Sequence, residues 1–336
     1  MSSNLHRSML AIIVMAIVGV SWLRINKQEK SVNLTNHAVL QLKVPAEFRF
    51  VVFGDTRFHD PSDTGAANPA VRRALVAAID REHPAFVSIS GDIVYVGENA
   101  KDWEVWDAET KSWREHNITV YPVIGNHDLK GDEKTALANY FARFPQLDGS
   151  RFYFVRMGNC VMLALDSALG ETSGPQGDWL RGQLDALPAD VDFVFVILHH
   201  PPYTGSSDEK KYGGGHSARK TEQALATMLE KKQQYMRARI IVFSGHVHNY
   251  ERHEHNGIRY FVTGGGGAHA YPIPRGPDDL YKDSGINNHY LLVEVRGNSV
   301  EITMNKLEFK GDKEVWSKPD SVDIAAPTAM PAEHAQ

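Results

Sequence analysis

The feature that most constrains this chain is a recurrence: β-forming apolar runs end, one after another, in a side chain able to bind a metal. Phe48 to Phe53 stops at Gly54-Asp55, Ala85 to Ser90 at Gly91-Asp92, and Thr119 to Ile124 at Gly125-Asn126-His127. Phe193 to Leu198 runs into His199, and Ile240 to Ser244 into Gly245-His246-Val247-His248. In open α/β sheets the carboxyl ends of strands converge on the ligand crevice. A glycine at such an end permits a sharp turn that aims the next side chain inward. Each block alone says little. Asp55 could cap the helix that follows it, and a turn histidine such as His127 is usually solvated. His246 and His248 point the same way if the segment is extended, which is still a moderate metal signal. Carboxylates, an amide and imidazoles at five strand ends together point to one site.

The segments between the blocks fill in the fold class. Val71, Leu75, Ala78 and Ile79 are at helical spacing within 69–81, and a helix carrying Trp103, Trp106 and Trp113 is predicted before the third strand. Strand and helix alternate, which argues for α/β architecture. Later strands at 151–157, 160–166, 259–263 and 290–296 include antiparallel pairs, so a mixed sheet or two packed sheets is expected. The glycines at 213–215 and 264–267 are not phosphate-cradling loops, because neither opens a Gly-Lys-Ser/Thr helix.

At 336 residues and 42% hydrophobic, there is ample material for a core. The formal net charge is -5 and the basic residues are scattered, so no nucleic-acid scaffold is expected as a partner. The single cysteine, Cys160, sits in an apolar run; it excludes an intramolecular disulfide and reads as a buried thiol. In residues 1–30, Arg7 precedes an apolar stretch that Arg24, Lys27 and Lys30 close. This suits either a cleaved signal peptide or an uncleaved membrane anchor through residues 8–23. Both readings place the catalytic body, expected over 45–312, in an exported location, periplasmic or extracellular. The Ala- and Pro-rich tail, 325–336, is expected to be disordered.

The residue inventory fits a particular chemistry. Hydrolysing a phosphate ester near neutral pH needs a nucleophile and charge neutralisation on the non-bridging oxygens, and two metal ions about 3.5–4 Å apart supply both. Oxygen and imidazole ligands suit iron, manganese or zinc.

In order and spacing, Gly54-Asp55, Gly91-Asp92, Gly125-Asn126-His127-Asp128, His199-His200-Pro201-Pro202 and Gly245-His246-Val247-His248 resemble the signature of calcineurin-like metallophosphoesterases. The resemblance implies a four-layer α/β/β/α sandwich with two mixed β-sheets and a dinuclear centre at one end. Tyr95, three residues after Asp92, and the segments 245–252 and 261–265 resemble the purple acid phosphatase branch. That branch implies Asp55, Asp92, Tyr95 and His248 on one metal, and Asp92, Asn126, His199 and His246 on the other, Asp92 bridging. Its metals would be iron with iron, zinc or manganese. His127 would contact the phosphate or protonate the leaving oxygen, and His216 is the candidate for a histidine supplied by the loop after the fourth block. Other branches carry Asp-x-His in the first block where this chain has Asp55-Thr56-Arg57. Arg57 would then contact the substrate phosphate or make a surface ion pair.

The function expected is an exported phosphomonoesterase acting on small phosphate esters. One alternative is a phosphodiesterase acting on nucleotides, lipid headgroups or cell-wall phosphodiesters, with loops 204–217 and 267–284 setting the pocket width. Another is a non-catalytic metal-dependent binding module, which would be expected to show eroded ligands.

Overall fold

The computed structural model describes residues 37–212 and 214–327. The chain runs β1 (Ala38–Leu42), β2 (Glu47–Phe53), α1 (Pro69–Arg81), β3 (Phe86–Ile89), α2 (Ala100–Glu109), α3 (Lys111–Glu115) and β4 (Thr119–Pro122). It continues through α4 (Glu133–Arg143), β5 (Tyr153–Met157), β6 (Cys160–Ala164), α5 (Gly174–Asp185), β7 (Phe193–Ile197), α6 (Lys220–Gln233) and β8 (Arg239–Ser244). The last strands are β9 (Tyr250–His255), β10 (Ile258–Thr263), β11 (Asn288–Arg296), β12 (Ser299–Lys310), β13 (Lys313–Ser317) and β14 (Ser321–Ala325).

These strands form two mixed sheets. The first is ordered β1-β5-β6-β7-β8-β10-β9, and the second β13-β12-β11-β2-β3-β4 with β14 also paired to β12. Within them β7 and β8 run parallel, as do β2, β3 and β4. The period of two explains the layering. Phe193, Phe195 and Ile197 of β7 face the second sheet, where Phe195 meets Phe50 edge-on at 5.0 Å. Val194, Val196 and Leu198 face the other way, onto Trp179, Leu180, Leu184, Leu225 and Leu229 of α5 and α6. Behind the second sheet, Phe53 meets Trp113 of α3, whose indole N–H donates to the Val76 carbonyl of α1. The expected α/β/β/α sandwich with two mixed β-sheets is therefore present.

Three expectations need correction. The tryptophans lie on two helices, because the Thr110 hydroxyl back-bonds to the Trp106 carbonyl at 2.6 Å and the chain breaks there. The folded body is wider than 45–312: β1 extends the first sheet on one side, and β13 and β14 extend the second. Ala325 is not the start of a disordered tail but the last residue of β14, paired with Ser299. The segments 1–30 and 328–336 lie outside the described residues. Among those described, no helix is long and apolar enough to cross a membrane. Cys160 is buried, and burial pushes its thiol up to about 12, as suits an inert core residue.

Gly91, at the end of β3, and Gly182, inside a helix, are constrained very differently. Gly91 has φ +93°, and a Cβ added there would lie 2.5 Å from His199 Nδ1 and 2.9 Å from the Gly125 Cα. Gly182, in α5, has nothing within 4 Å of an added Cβ. The same substitution should therefore have opposite signs at the two positions. Gly182→Ala should raise stability by about 0.5–1 kcal/mol through helix propensity. Gly91→Ala should lower it by at least about 2 kcal/mol through strain and overpacking. Urea denaturation of both variants checks this, and equal effects would contradict it.

Candidate metal centre

The five strand ends meet at one edge of the sandwich, and the two sheets are stitched together there through the residues of interest. His199, after β7, reaches across to the second sheet, where its Nδ1 lies 2.8 Å from the Ser90 carbonyl at the end of β3. Asp55, after β2, accepts the His246 backbone N–H of the first sheet on Oδ2 at 2.8 Å. Asp55, Asp92 and His246 all adopt left-handed backbone, with φ of 57°, 53° and 69°. Such conformations are uncommon outside glycine and, where they recur, mark sites the surrounding structure has been shaped to hold. They turn each side chain out of its strand direction and into the edge of the sandwich.

A carbonyl can only accept, so His199 carries its proton on Nδ1 and presents a bare Nε2. That nitrogen lies 3.0 Å from Asn126 Oδ1, 3.3 Å from Asp92 Oδ1 and 3.2 Å from His246 Nδ1. His248 repeats the arrangement. Its Nδ1 donates to the His269 carbonyl at 2.8 Å, leaving Nε2 bare at 3.6 Å from Asp55 Oδ1. Both of those atoms are buried without a hydrogen-bond partner. A carbonyl behind each imidazole is the usual means of fixing the tautomer of a metal ligand.

The arrangement suits cations rather than protons. Where His199 Nε2 faces Asp92 and Asn126, and His248 Nε2 faces Asp55, lone pairs face lone pairs, and the N···O separations are close to the roughly 3.4 Å between ligands about 2.1 Å from a shared tetrahedral ion. Asp55, Asp92 and His248 offer ligand atoms within 4.8 Å of one another, and so do His199, His200 and His246. Burial also tunes the groups. It lowers the pKa of His199, His246 and His248, holding each ring neutral, the form able to ligate a metal. Burial, and then the charge of Asp92, pushes the Asp55 carboxyl well above the usual range. Burial acts the same way on Asp92, but His199, Arg57 and His127 outweigh it and hold that carboxyl below the usual range.

Of the residues picked out in the sequence, Asp55, Asp92, Asn126, His199, His246 and His248 come together. Arg57 lies beside them, its guanidinium donating to Asp92 Oδ2 at 3.2 Å while Nε stays buried and unpartnered. His127 donates its backbone N–H to Asp92 Oδ1 at 2.8 Å, and its ring Nδ1 donates to the Tyr95 carbonyl at 2.7 Å. His216 arrives from its loop, 4.6 Å from the His246 ring and 5.5 Å from that of His248. Tyr95 is held differently from the others. Its ring stacks on His127 at 5.3 Å beneath the Lys130 ammonium, and its hydroxyl makes no hydrogen bond to Asp55, Asp92 or His248 among the described residues.

Three contributors were not assigned from sequence. Asp128 accepts the backbone N–H groups of Ile93, Val94 and Gly125, tying the turn after β3 to the turn after β4. Its place in the third block was a signal, but not of this role. His200 sits behind His246, 4.3 Å between ring centroids, with Nδ1 on the Ser167 hydroxyl at 2.7 Å. Tyr271, in an irregular loop with no sequence signal, accepts the His248 backbone N–H and is hydrogen bonded to His216 Nδ1 at 2.9 Å.

Comparison with known proteins agrees with this geometry. The chain is 25% identical to purple acid phosphatase 21 of Arabidopsis thaliana over 252 residues, 66% of this chain and 53% of that one. It is also 25% identical to a phosphoenolpyruvate phosphatase of Allium cepa over 204 residues, 55% of this chain and 39% of that one. The solved structure of purple acid phosphatase PPD1 from yellow lupin (Lupinus luteus) seeds superposes with a TM-score of 0.63 at 15% identity, over 87% of this chain and 55% of that one. The chain thus spans about half the length of these relatives or less. The family model of calcineurin-like phosphoesterases matches residues 48–250, a stretch that contains all six converging candidate residues. With that match, and with candidate ligands from both sheets meeting at one edge of the sandwich, the chain belongs to the calcineurin-like phosphoesterase family.

Proposed function

We propose that this chain hydrolyses phosphate monoesters with two metal ions bound, Asp92 being shared between them. The observation that carries this reading is the double membership of Asp92: it groups with Asp55 and His248, and its Oδ1 also faces His199 Nε2 at 3.3 Å. When bound, the two ions would neutralise the non-bridging oxygens of the ester and acidify a water. Iron paired with iron, zinc or manganese fits a donor set of carboxylates, imidazoles and one amide.

The chain's own residues would position the ester. Asn126 is exposed, so the cluster is reached from solvent at its side. Arg57, with Nε unpartnered beside Asp92, would accept a phosphate oxygen into its guanidinium fork. With Nδ1 of His127 engaged by the Tyr95 carbonyl, its Nε2 remains to hydrogen-bond the phosphate or hand a proton to the leaving oxygen. His216, held by Tyr271, would face the ester from the opposite loop. Monoesters are favoured over diesters by the phosphatase names of the relatives.

Turnover of an aryl phosphate is expected to exceed that of the matching aryl diester. Dialysis against a chelator should abolish it, and added metal should restore it. Turnover that survives removal of the metal would overturn the proposal, and a fully metallated but inert protein would favour a binding module. Asp92→Asn should remove both ions of the centre, whereas Asp55→Asn and Asn126→Ala should each weaken one. Metal analysis of the folded variants decides this, and retention of both ions in Asp92→Asn would exclude the bridging role. For Tyr95, a ferric protein should show a visible charge-transfer band that Tyr95→Phe abolishes. A band unchanged in that variant would remove Tyr95 from the ligand set.

A further inference from the structure

A second cluster of imidazole and carboxylate lies away from this centre, on β9 and the loop that packs against it. His253 and His255 are two residues apart on β9 and therefore share a face. Asp278 approaches that face from the loop between β10 and β11. His253 is 2% exposed, and its Nδ1 is buried with no hydrogen-bond partner. His255 Nε2 is likewise buried and unpartnered. Both nitrogens look at the same atom, Asp278 Oδ2, from 3.5 and 3.7 Å. The three ligand atoms lie within 4.8 Å of one another.

The surroundings orient these rings as a metal site would require. His253 Nε2 faces Glu251 Oε2 at 3.4 Å, giving the carboxylate–histidine order that fixes a ligating imidazole. Glu251 is fully buried and is itself held by the Thr204 hydroxyl at 2.5 Å and the Gly205 N–H at 2.6 Å. The His255 ring is stacked on Tyr203 at 3.9 Å and 17°. Asp279, the neighbouring acid, is already satisfied by Arg275 and by the backbone N–H groups of Arg252 and Tyr281. Spacings of 3.5 and 3.7 Å are close to the roughly 3.4 Å expected between neighbours on a tetrahedral ion with ligands about 2.1 Å away.

We propose that His253 Nδ1, His255 Nε2 and Asp278 Oδ2 bind a third divalent metal ion, of the zinc type, outside the phosphoesterase centre. Two imidazoles and one carboxylate are a zinc-type ligand set, and the half-exposed Asp278 leaves one side to solvent. The ion would have a structural consequence. Glu251 holds the start of the 204–217 loop that carries His216, and Asp278 belongs to the 267–284 loop that carries Tyr271. One ion would thus tie both rim loops to β9. The rival occupant of the unpartnered His253 nitrogen is a proton. Burial opposes a charged ring there, but Glu251, Asp279 and Asp278 outweigh it and raise the His253 pKa.

The test uses the full chain, dialysed free of loosely bound metal and titrated with zinc alone, with metal content measured by mass spectrometry. His255→Gln and Asp278→Asn are the variants of choice, since both side chains are partly exposed and neither touches the phosphoesterase centre. Each is expected to bind one zinc equivalent fewer than the parent, and zinc should raise its melting temperature less. The centre at Asp92 is unaltered in all three proteins, so its ions cancel in the comparison. Identical zinc content in parent and variants would overturn the proposal and leave the cluster as a protonated ion pair. That alternative has its own signature: a melting temperature in the parent that is indifferent to zinc at this site and falls as the pH rises through the His253 pKa.

Discussion

Everything at the edge of this sandwich depends on buried carboxyl groups whose ionised form the protein alone does not compensate. Asp55, Asp92 and Asp128 are all essentially inaccessible, and Arg57 is the guanidinium that bonds to them among the described residues. Removing a carboxylate from water costs several kcal/mol even after the protein relaxes, unless a partner compensates. Asp128 accepts three backbone N–H groups, yet burial and the charge of Asp92 still push its carboxyl up to about 8. Asp55 Oδ1 has none, and neither has the His248 nitrogen that faces it. Imidazoles whose protons are pinned on carbonyls add lone pairs to the same space rather than charge to balance it. Two cations, as proposed, would answer both needs together: they would neutralise the carboxylates and occupy the lone pairs.

The fold exists in a form that can bear this arrangement because the candidate ligands are also its fasteners. The two sheets meet at this end through Asp55 with the His246 backbone, His199 with the Ser90 carbonyl, and the Gly266 N–H with the Gly54 carbonyl. Gly91 and Gly125 allow the turns carrying Asp92 and Asn126 to approach within van der Waals range of each other; a Cβ on Gly125 would fall 2.2 Å from the Asp92 nitrogen. The apolar layers behind, Phe50 against Phe195 and Phe53 against Trp113, fix the strands whose ends these turns extend. Binding energy at the edge and packing energy in the core are therefore coupled through the same short turns.

Much of this was legible in the sequence, and for a physical reason. A ligand at a strand end follows an apolar run, so its position is marked twice, by residue type and by place. Asp55, Asp92, Asn126, His199, His246 and His248 all carry that double mark. His216 was picked out through the family resemblance, and its ring lies 4.6 Å from that of His246. Tyr271 had no such mark, since it acts from an irregular loop whose path depends on contacts with β9. Five strands, β1, β9, β12, β13 and β14, were not read from the sequence: Tyr250–His255 is too polar to show alternation, and β13 and β14 are largely exposed. The helix break at Thr110 depends on a single side-chain hydrogen bond that no spacing rule reveals.

The central claim is that Asp92 sits between two metal ions. Anomalous diffraction from crystals of the metallated protein, collected at the absorption edges of iron, zinc and manganese, addresses it directly. Two peaks about 3.5–4 Å apart are expected, one beside Asp55 and His248 and the other beside Asn126, His199 and His246, with Asp92 oxygens between them. A single peak on one side of Asp92, or none with the side chains arranged as they are here, would contradict it.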